Sequence, residues 1–199
     1  NNGPIWALIA LNSGNYPASG TATRQALLET ILSAQTTDGG WTVSGTKADS
    51  DMTGMALQAL APYYETNEQV SAAVDRAIDK LSQMQQADGS FCADYGDGNP
   101  VATSESIAQV ITGLTALGID PATDPRFVKS GDSALDALLR YYVDGGGFRH
   151  LLEGERDGMA TEQGYYALTA YFRFRNGETA LYDMTDVLDK GGDCADTPA

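Results

Sequence analysis

Apolar residues recur at intervals of three and four in three stretches of this sequence. One stretch begins near Leu27, the second near Val70 and the third near Leu135. That spacing places the apolar side chains on one face of a helix. Each stretch ends in a Gly-rich turn, and glycine tolerates the left-handed backbone with which helices often end. The pattern therefore predicts three amphipathic helices, each closed by a tight turn.

A second apolar run, rich in small residues, follows each turn and opens with Ser or Thr and then an acid. The three openings are Ser50-Asp51, Ser104-Glu105 and Thr161-Glu162. A Ser or Thr side chain can cap the start of a helix, and an acid in the first turn suits the positive end of the helix dipole. We therefore expect each of these Ser and Thr residues to begin a helix.

The openings recur at a nearly constant interval. Their acids lie 54 and 57 residues apart, and Asn2, ahead of another apolar run, lies 49 residues before Asp51. A recurrence in this range is the signature of a repeat architecture. We infer one domain over residues 1–199 with four helix–loop–helix units, near 1–41, 50–91, 103–148 and 160–190. No stretch alternates at a period of two over the length of a strand, so the predicted fold class is all-α.

The composition excludes several classes of function. The chain carries a formal net charge of −15, so we expect no basic patch that could neutralise the phosphates of nucleic acids or anionic membranes. No apolar run approaches the roughly 20 residues that a membrane-spanning helix needs. The 22 glycines, the few lysines and the strong acidity indicate an extracellular or cell-surface protein.

The cysteines and the single histidine give little support for a metal site. Cys92 and Cys194 form no Cys-x-x-Cys motif, and His150 is the only histidine, so neither a zinc site nor a cofactor is expected. We predict a disulfide between the two cysteines, the alternative being two unrelated thiols. The loop over residues 94–99 has oxygen ligands but lacks the full spacing of a calcium loop, which favours a solvated turn.

The turns carry a resemblance to a known superfamily. Gln35 to Trp41 resembles the Gln-x-x-x-Gly-x-Trp repeat of terpenoid cyclases and protein prenyltransferases, and Gln85 to Phe91 differs only in its aromatic residue. This resemblance implies an α/α toroid, in which inner helices line a cavity and outer helices surround them. Four units would form a partial toroid. The apolar runs are most similar to secreted bacterial prenyltransferase-like domains with squalene-cyclase-like repeats.

The resemblance leaves catalysis open, because this fold does not determine function. Asp49 to Thr53 resembles the Asp-x-Asp-Asp-Thr motif of class II terpenoid cyclases, whose proton donor would fall on Asp51. Met52 replaces the last acid of that motif. The zinc ligands of prenyltransferases are missing, and Ala160 replaces the cysteine of related thioester domains. We therefore expect a non-catalytic binding domain; the alternative is a terpenoid-cyclase-like or glycan-active enzyme that uses Asp51 and Asp49.

Superposition of the inner helices predicts which side chains face the cavity. Residues at i, i+4 and i+7 form a mixed polar stripe, and the aromatic residues of the turns lie at the same end. Acids beside aromatics suit a neutral polar or cationic small molecule or a glycan, although the partner could instead be another protein domain, and the aromatics could simply pack the turns. The candidate contacts are Asn2, Trp6, Trp41, Asp51, Met55, Gln58, Phe91, Glu105, Gln109, Phe148, Glu162 and Tyr166.

The two ends of the repeat array raise a further expectation. No outer helix precedes the first unit, so Trp6, Leu8 and Leu11 have no earlier helix to cover them. Terminal repeats normally carry a polar outer face. We expect a domain cut from a longer precursor, with a packing partner at the first unit.

Overall fold

In the computed structural model, residues 2–14, 16–94 and 98–188 are described, and most of them are helical. The helices are α1 (Asn2–Ser13), α2 (Arg24–Ser33), α3 (Ser50–Leu60), α4 (Glu68–Met84), α5 (Ser104–Ala116), α6 (Ala134–Leu139), α7 (Gly158–Arg175) and α8 (Thr185–Leu188), with a 3-10 turn at Ala61–Tyr63.

The prediction of a mainly helical chain is confirmed, but short strands occur as well. They form three antiparallel pairs of two-residue strands: β1 (Cys92–Ala93) with β2 (Val101–Ala102), β3 (Val128–Lys129) with β4 (Asp132–Ser133), and β5 (Phe148–Arg149) with β6 (Arg156–Asp157). Strands this short leave no alternating pattern in the sequence, because a period of two needs at least four residues to show.

The helices pack in two rows. In the row that we call central, α3 lies between α1 and α5, and α5 lies between α3 and α7. Helices α2, α4 and α6 pack against α1, α3 and α5 respectively and form the flanking row. The predicted apolar stripe of α4 is buried in this interface, with Val70 and Leu81 fully enclosed.

Two glycines set the distance between α3 and α5. A Cβ atom on Gly54 would lie 2.5 Å from the carbonyl oxygen of Gln109, and one on Gly113 would lie 2.7 Å from the carbonyl oxygen of Gly54. A Cβ on Gly113 would also lie 3.2 Å from the Cβ of Leu57. The contacts advance in the same direction along both helices, so α3 and α5 run parallel, with their backbones in contact.

The Gly-rich turns superpose as predicted. In each turn a backbone N–H donates to the carbonyl four residues later: Thr36 to Gly40 at 2.8 Å, Gln86 to Ser90 at 2.9 Å, and Val143 to Gly147 at 2.9 Å. Each turn also contains a glycine with positive φ, namely Gly39, Gly89 and Gly146. The third copy therefore adopts the same turn although Tyr142 replaces its glutamine.

The spacing of Gln and Gly that the first two turns share has a structural cause. Nε2 of Gln35 donates to the carbonyl of Gly39 in its own turn at 2.7 Å and to the carbonyl of Ala73 in α4 at 2.8 Å. Gln85 repeats this arrangement with the glycine of its own turn and with the carbonyl of Phe127 at 2.9 Å. Each glutamine thus ties one turn to the next segment of the flanking layer.

The starts of the central helices differ from the prediction. The capping side chains are Asp49, Thr103 and Asp157, spaced at 54 residues, and each accepts a hydrogen bond from the third N–H of its helix. Ser50 and Ser104 do begin helices, as first helical residues rather than caps. The prediction for Thr161 is wrong, because α7 begins three residues earlier, at Gly158.

Thr161 has a different role, which explains the misalignment. Its hydroxyl accepts from the N–H of Phe148 at 3.0 Å. The hydroxyl of Thr53 accepts from the N–H of Trp41 at the same distance. Thr161 is therefore equivalent to Thr53, three residues after the first residue of its helix, and the residue equivalent to Ser50 is Gly158.

The first helix is covered in part by the end of its own chain. Leu8 is fully buried, and Trp6 packs edge-on against Tyr182, with ring centroids 5.6 Å apart. The N–H of Met184 donates to the carbonyl of Ser13 at 2.7 Å. The segment that follows α7 therefore returns to α1 and covers part of it, while Leu11 stays half-buried. A packing partner at the first unit stays a prediction.

Two predictions from the sequence involve residues outside the described ranges. Cys92 lies in β1, but Cys194 is outside those ranges, so the predicted disulfide stays a prediction. The same holds for the loop over residues 94–99, of which residues 95–97 are outside.

Within the described residues, none of the helices is both long enough and apolar enough to cross a membrane.

Replacing Gly54 with Ala should destabilise the protein by about 1–3 kcal/mol, because the new methyl group would overlap the backbone of α5. Urea unfolding measures this loss. Gly158→Ala is the matched control, since a Cβ there meets no atom within 4 Å and alanine favours the helix. Equal stability of the two variants would contradict the close packing of α3 and α5.

Replacing Thr103 with Ala should lower the free energy of unfolding by about 1 kcal/mol, because α5 loses its N-terminal cap. Thr103→Ser keeps the hydroxyl that accepts from the N–H of Ser106 and should retain most of the stability. Thermal or urea unfolding of both variants tests this assignment. A serine variant as unstable as the alanine variant would show that the methyl group matters, not the cap.

Candidate functional site

The N-terminal ends of α3 and α5 place Asp51 and Glu105 near each other. Burial raises the pKa of Asp51 to about 6; a hydrogen bond from Ser106 acts in the opposite direction, and the charges of Asp49 and Glu105 raise it further. The Asp51 side chain is half-buried. A carboxyl group with this pKa can hold or release a proton near neutral pH.

Glu105 is buried and pairs with a histidine that the sequence did not connect with it. Nδ1 of His150 lies 3.0 and 2.9 Å from the two carboxylate oxygens of Glu105. The hydroxyl of Ser104 lies 3.1 Å from the same carboxylate and 2.6 Å from the carbonyl of Arg149. These contacts fix Glu105 against the loop after β5. We call Asp51, Glu105 and His150 the acid cluster.

Glu162 does not belong to the acid cluster. Because α7 starts at Gly158, the position equivalent to Glu105 is Met159, and Glu162 lies one helical turn further on with its side chain exposed. The prediction that Glu162 is a third acid at this end is therefore wrong. The cause is a three-residue shift in the sequence alignment of the last unit.

Asp49, the second candidate for catalysis, caps α3. Its Oδ1 accepts from the N–H of Met52 at 2.7 Å, and its Oδ2 accepts from the N–H of Val43 at 3.3 Å. The Thr53 hydroxyl bonds to the backbone of Trp41. Asp49 and Thr53, two residues of the Asp-x-Asp-Asp-Thr resemblance, thus hold the preceding turn to helix α3.

The three aromatic residues of the turns lie in the interior. Trp41 is 1% exposed, and Phe91 and Phe148 are fully buried. Nε1 of Trp41 donates to the carbonyl of Ile31 at 2.7 Å. These rings present no open face to a ligand. Their surroundings fit the alternative that they pack the turns.

A chain of side-chain amides crosses the central row. Nε2 of Gln58 on α3 donates to Oε1 of Gln109 on α5 at 3.2 Å, and Nε2 of Gln109 donates to Oε1 of Gln163 on α7 at 3.0 Å. Gln58 and Gln109, both predicted for the cavity, are buried. The structure therefore brings these two candidates into direct contact.

The other candidates lie around this chain of amides. Burial raises the pKa of Tyr166 well above its usual range, and its hydroxyl is buried without a hydrogen-bond partner of good geometry, although Thr112 approaches it. Met55 and Trp6 are partly buried against the core. Asn2 is exposed at the start of α1, which places it away from these buried groups.

A cavity of about 660 Å³ opens at the C-terminal ends of the central helices. Ser13 at the end of α1, Ala61 after α3 and Ala116 at the end of α5 border it, and residues 180–185 close one side. Asp51 is not among the residues that line it. The acid cluster and this cavity thus occupy opposite ends of the central row.

The cavity walls combine apolar surface with polar groups. The wall residues include Ile9, Pro62, Tyr63, Thr112, Leu181 and Tyr182. Two further wall residues, Asn12 and Gln58, carry buried polar atoms without a hydrogen-bond partner in the described chain: Nδ2 of Asn12 and Oε1 of Gln58. Gln58 was predicted from the sequence. Asn12 and Tyr182 were not, because no motif marks either residue.

Comparisons with known proteins leave the assignment to the structure itself: no family model matches the sequence, and no curated protein is detectably similar to it. Among the described residues, no group of three or more His, Cys, Asp or Glu side chains could hold a metal ion. The arrangement thus provides two candidate features, a proton-holding acid cluster and a partly polar cavity.

Asp51 should make stability fall as the pH rises from about 4 to about 6. Its pKa is about 6 in the folded chain against an ordinary value of 3.8, so the folded state holds this proton more tightly and loses that advantage across the window. Asp51→Asn removes the titrating group. Urea unfolding over this pH range should show a smaller loss of stability in the variant.

Asp144→Asn, at an exposed position, is the control and should follow the wild-type pH dependence. Identical pH dependence of Asp51→Asn and the wild type would show that burial does not raise the pKa of Asp51.

Proposed function

We propose that this chain is a non-catalytic ligand-binding domain of the α/α-toroid type, from an extracellular or cell-surface protein of a bacterium. The toroid assignment is supported by the two rows of helices, by the parallel packing of α3 on α5 and by the turn that the first three units share. The net charge of −15 is in keeping with the expectation that nucleic acids are not partners.

The cavity at the C-terminal ends of the central helices is the observation that carries the proposal. Its volume of about 660 Å³ lies within the range of about 300–1,000 Å³ found for small-molecule sites. It combines apolar walls with a few fixed polar groups, which is the usual composition of such sites. The proposed ligand is therefore a small molecule or glycan; a segment of a partner protein is the other occupant that this cavity could accept.

A second function, catalysis, is favoured by a different observation. Asp51 has a raised pKa and lies near a second acid, Glu105. Acid catalysts often share these two features. Asp51 lies outside the cavity described above, however, and Glu105 is engaged by His150. A substrate held in the cavity would not meet Asp51, which makes binding the better supported function.

Filling the cavity should abolish ligand binding. We expect at least one member of a panel of glycans and vitamins to bind the wild-type protein in ligand-observed NMR, and Ala116→Phe to lose that binding because the ring would occupy the cavity. Ala7→Phe, at an exposed position of α1, is the matched control and should bind like the wild type.

Two outcomes would contradict the proposal. One is a panel in which no compound binds. The other is conversion of a bound compound to product by the wild type but not by Asp51→Asn, which would establish the enzyme instead.

A further inference from the structure

We infer that the cavity binds a neutral, hydroxyl-rich ligand of the saccharide class, held by Nδ2 of Asn12 and Oε1 of Gln58. This inference rests on the proposed function, because it names the ligand class of the same cavity. It depends on the direction of two buried amide groups and on the charges around them.

The direction of the Asn12 amide is fixed by two donors. Nε of Arg24 donates to Oδ1 of Asn12 at 2.8 Å, and the hydroxyl of Tyr63 donates to the same oxygen at 3.0 Å. Because both donors need an oxygen, the nitrogen of the amide must be on the other side. Nδ2 of Asn12 is buried and has no partner in the described chain, so it presents N–H donors.

The direction of the Gln58 amide follows from the chain of amides. Nε2 of Gln109 donates to Gln163 at 3.0 Å, which leaves Oε1 of Gln109 as the acceptor for Nε2 of Gln58 at 3.2 Å. Oε1 of Gln58 is then an acceptor without a partner in the described chain. The side chain is 8% exposed, so this oxygen is shielded from bulk solvent.

The cavity thus offers one buried donor and one buried acceptor. A buried polar group without a hydrogen bond is costly, and native proteins rarely leave one unsatisfied. Hydroxyl groups both donate and accept, so a ligand with several of them can satisfy Asn12 and Gln58 together. The apolar surfaces of Tyr63, Pro62 and Tyr182, which line the same cavity, can cover the C–H faces of a sugar ring.

The charged residues that line the cavity are engaged by the protein. Besides Asn12, Arg24 donates through Nη2 to the backbone carbonyls of Leu11 and Tyr16. Oδ1 of Asp183 accepts from both the N–H and the hydroxyl of Thr185. Arg24 and Asp183 are opposite in sign, so the lining carries no net charge that would compensate a charged ligand for its lost hydration. A neutral ligand avoids that loss.

Isothermal titration calorimetry with matched sugars tests this inference. The probes are glucose, galactose, maltose, cellobiose and N-acetylglucosamine as neutral ligands, with glucosamine as the cationic and glucuronate as the anionic counterpart. We expect at least one neutral sugar to bind, and the charged counterparts to bind about tenfold more weakly or not at all.

Asn12→Asp tests the donor directly. Aspartate keeps an oxygen for Arg24 and Tyr63 but replaces the N–H donors with a second acceptor, so affinity for the neutral sugar should fall about tenfold or more. Asn67→Asp is the matched control: it makes the same amide-to-acid change outside the cavity lining, keeps the oxygen that accepts from the N–H groups of Gln69 and Val70, and should bind like the wild type.

The outcomes separate this inference from the proposed function. Preferred binding of glucosamine or glucuronate, or full binding of a neutral sugar by Asn12→Asp, would overturn the inference and leave a ligand-binding domain. Absence of binding by every compound in the sugar and vitamin panels would overturn both. If Asn12→Asp does not fold, the affinities for N-acetylglucosamine and glucosamine test the inference by themselves: tighter binding of the neutral sugar supports it, and tighter binding of the cationic sugar overturns it.

Discussion

The contact between the backbones of α3 and α5 is the constraint on which the rest of the structure depends. At Gly54 and Gly113 the two helices approach so closely that a single methyl group would overlap backbone atoms. This approach brings Gln58 within hydrogen-bond distance of Gln109 and sets the separation of Asp51 and Glu105. Polar side chains then meet in the middle of the central row, where each can be satisfied by its neighbour instead of by water.

The two ends of the central row differ in how far their polar groups are hydrogen-bonded within the protein. At the N-terminal end, the carboxylates are held by serine hydroxyls and by His150. At the C-terminal end, small residues such as Ala61 and Ala116 leave room, and the chain of amides stops at Gln58 with an acceptor unused. One end is therefore a self-contained network and the other is an open cavity, which is why we place the ligand at the second.

Local patterns made much of this fold predictable. The helical periodicity, the Gly-rich turns and the starts of α3 and α5 could all be read from the sequence, because each depends on residues close together in the chain. Thr161 was misassigned because Thr-Glu matched the Ser-acid pattern by coincidence, whereas the true start of α7, Gly158-Met159, has neither a Ser or Thr nor an acid. Gln58 and Gln109 could be predicted from helical spacing. Asn12 and Tyr182 could not, since their roles arise from contacts with residues that are distant in the sequence, such as Tyr63 for Asn12 and Trp6 for Tyr182.

The central claim, that the ligand binds at the C-terminal end of the central row, is tested most directly by following side-chain amides in NMR spectra. The protein would be labelled with 15N and titrated with the neutral sugar that binds most tightly. We expect saturable shifts of the Asn12 and Gln58 side-chain amides, and no shift of the side-chain amide of Gln85, a buried glutamine outside the cavity lining. Shifts confined to the backbone amides of Asp51, Glu105 and His150 would instead place the ligand at the acid cluster.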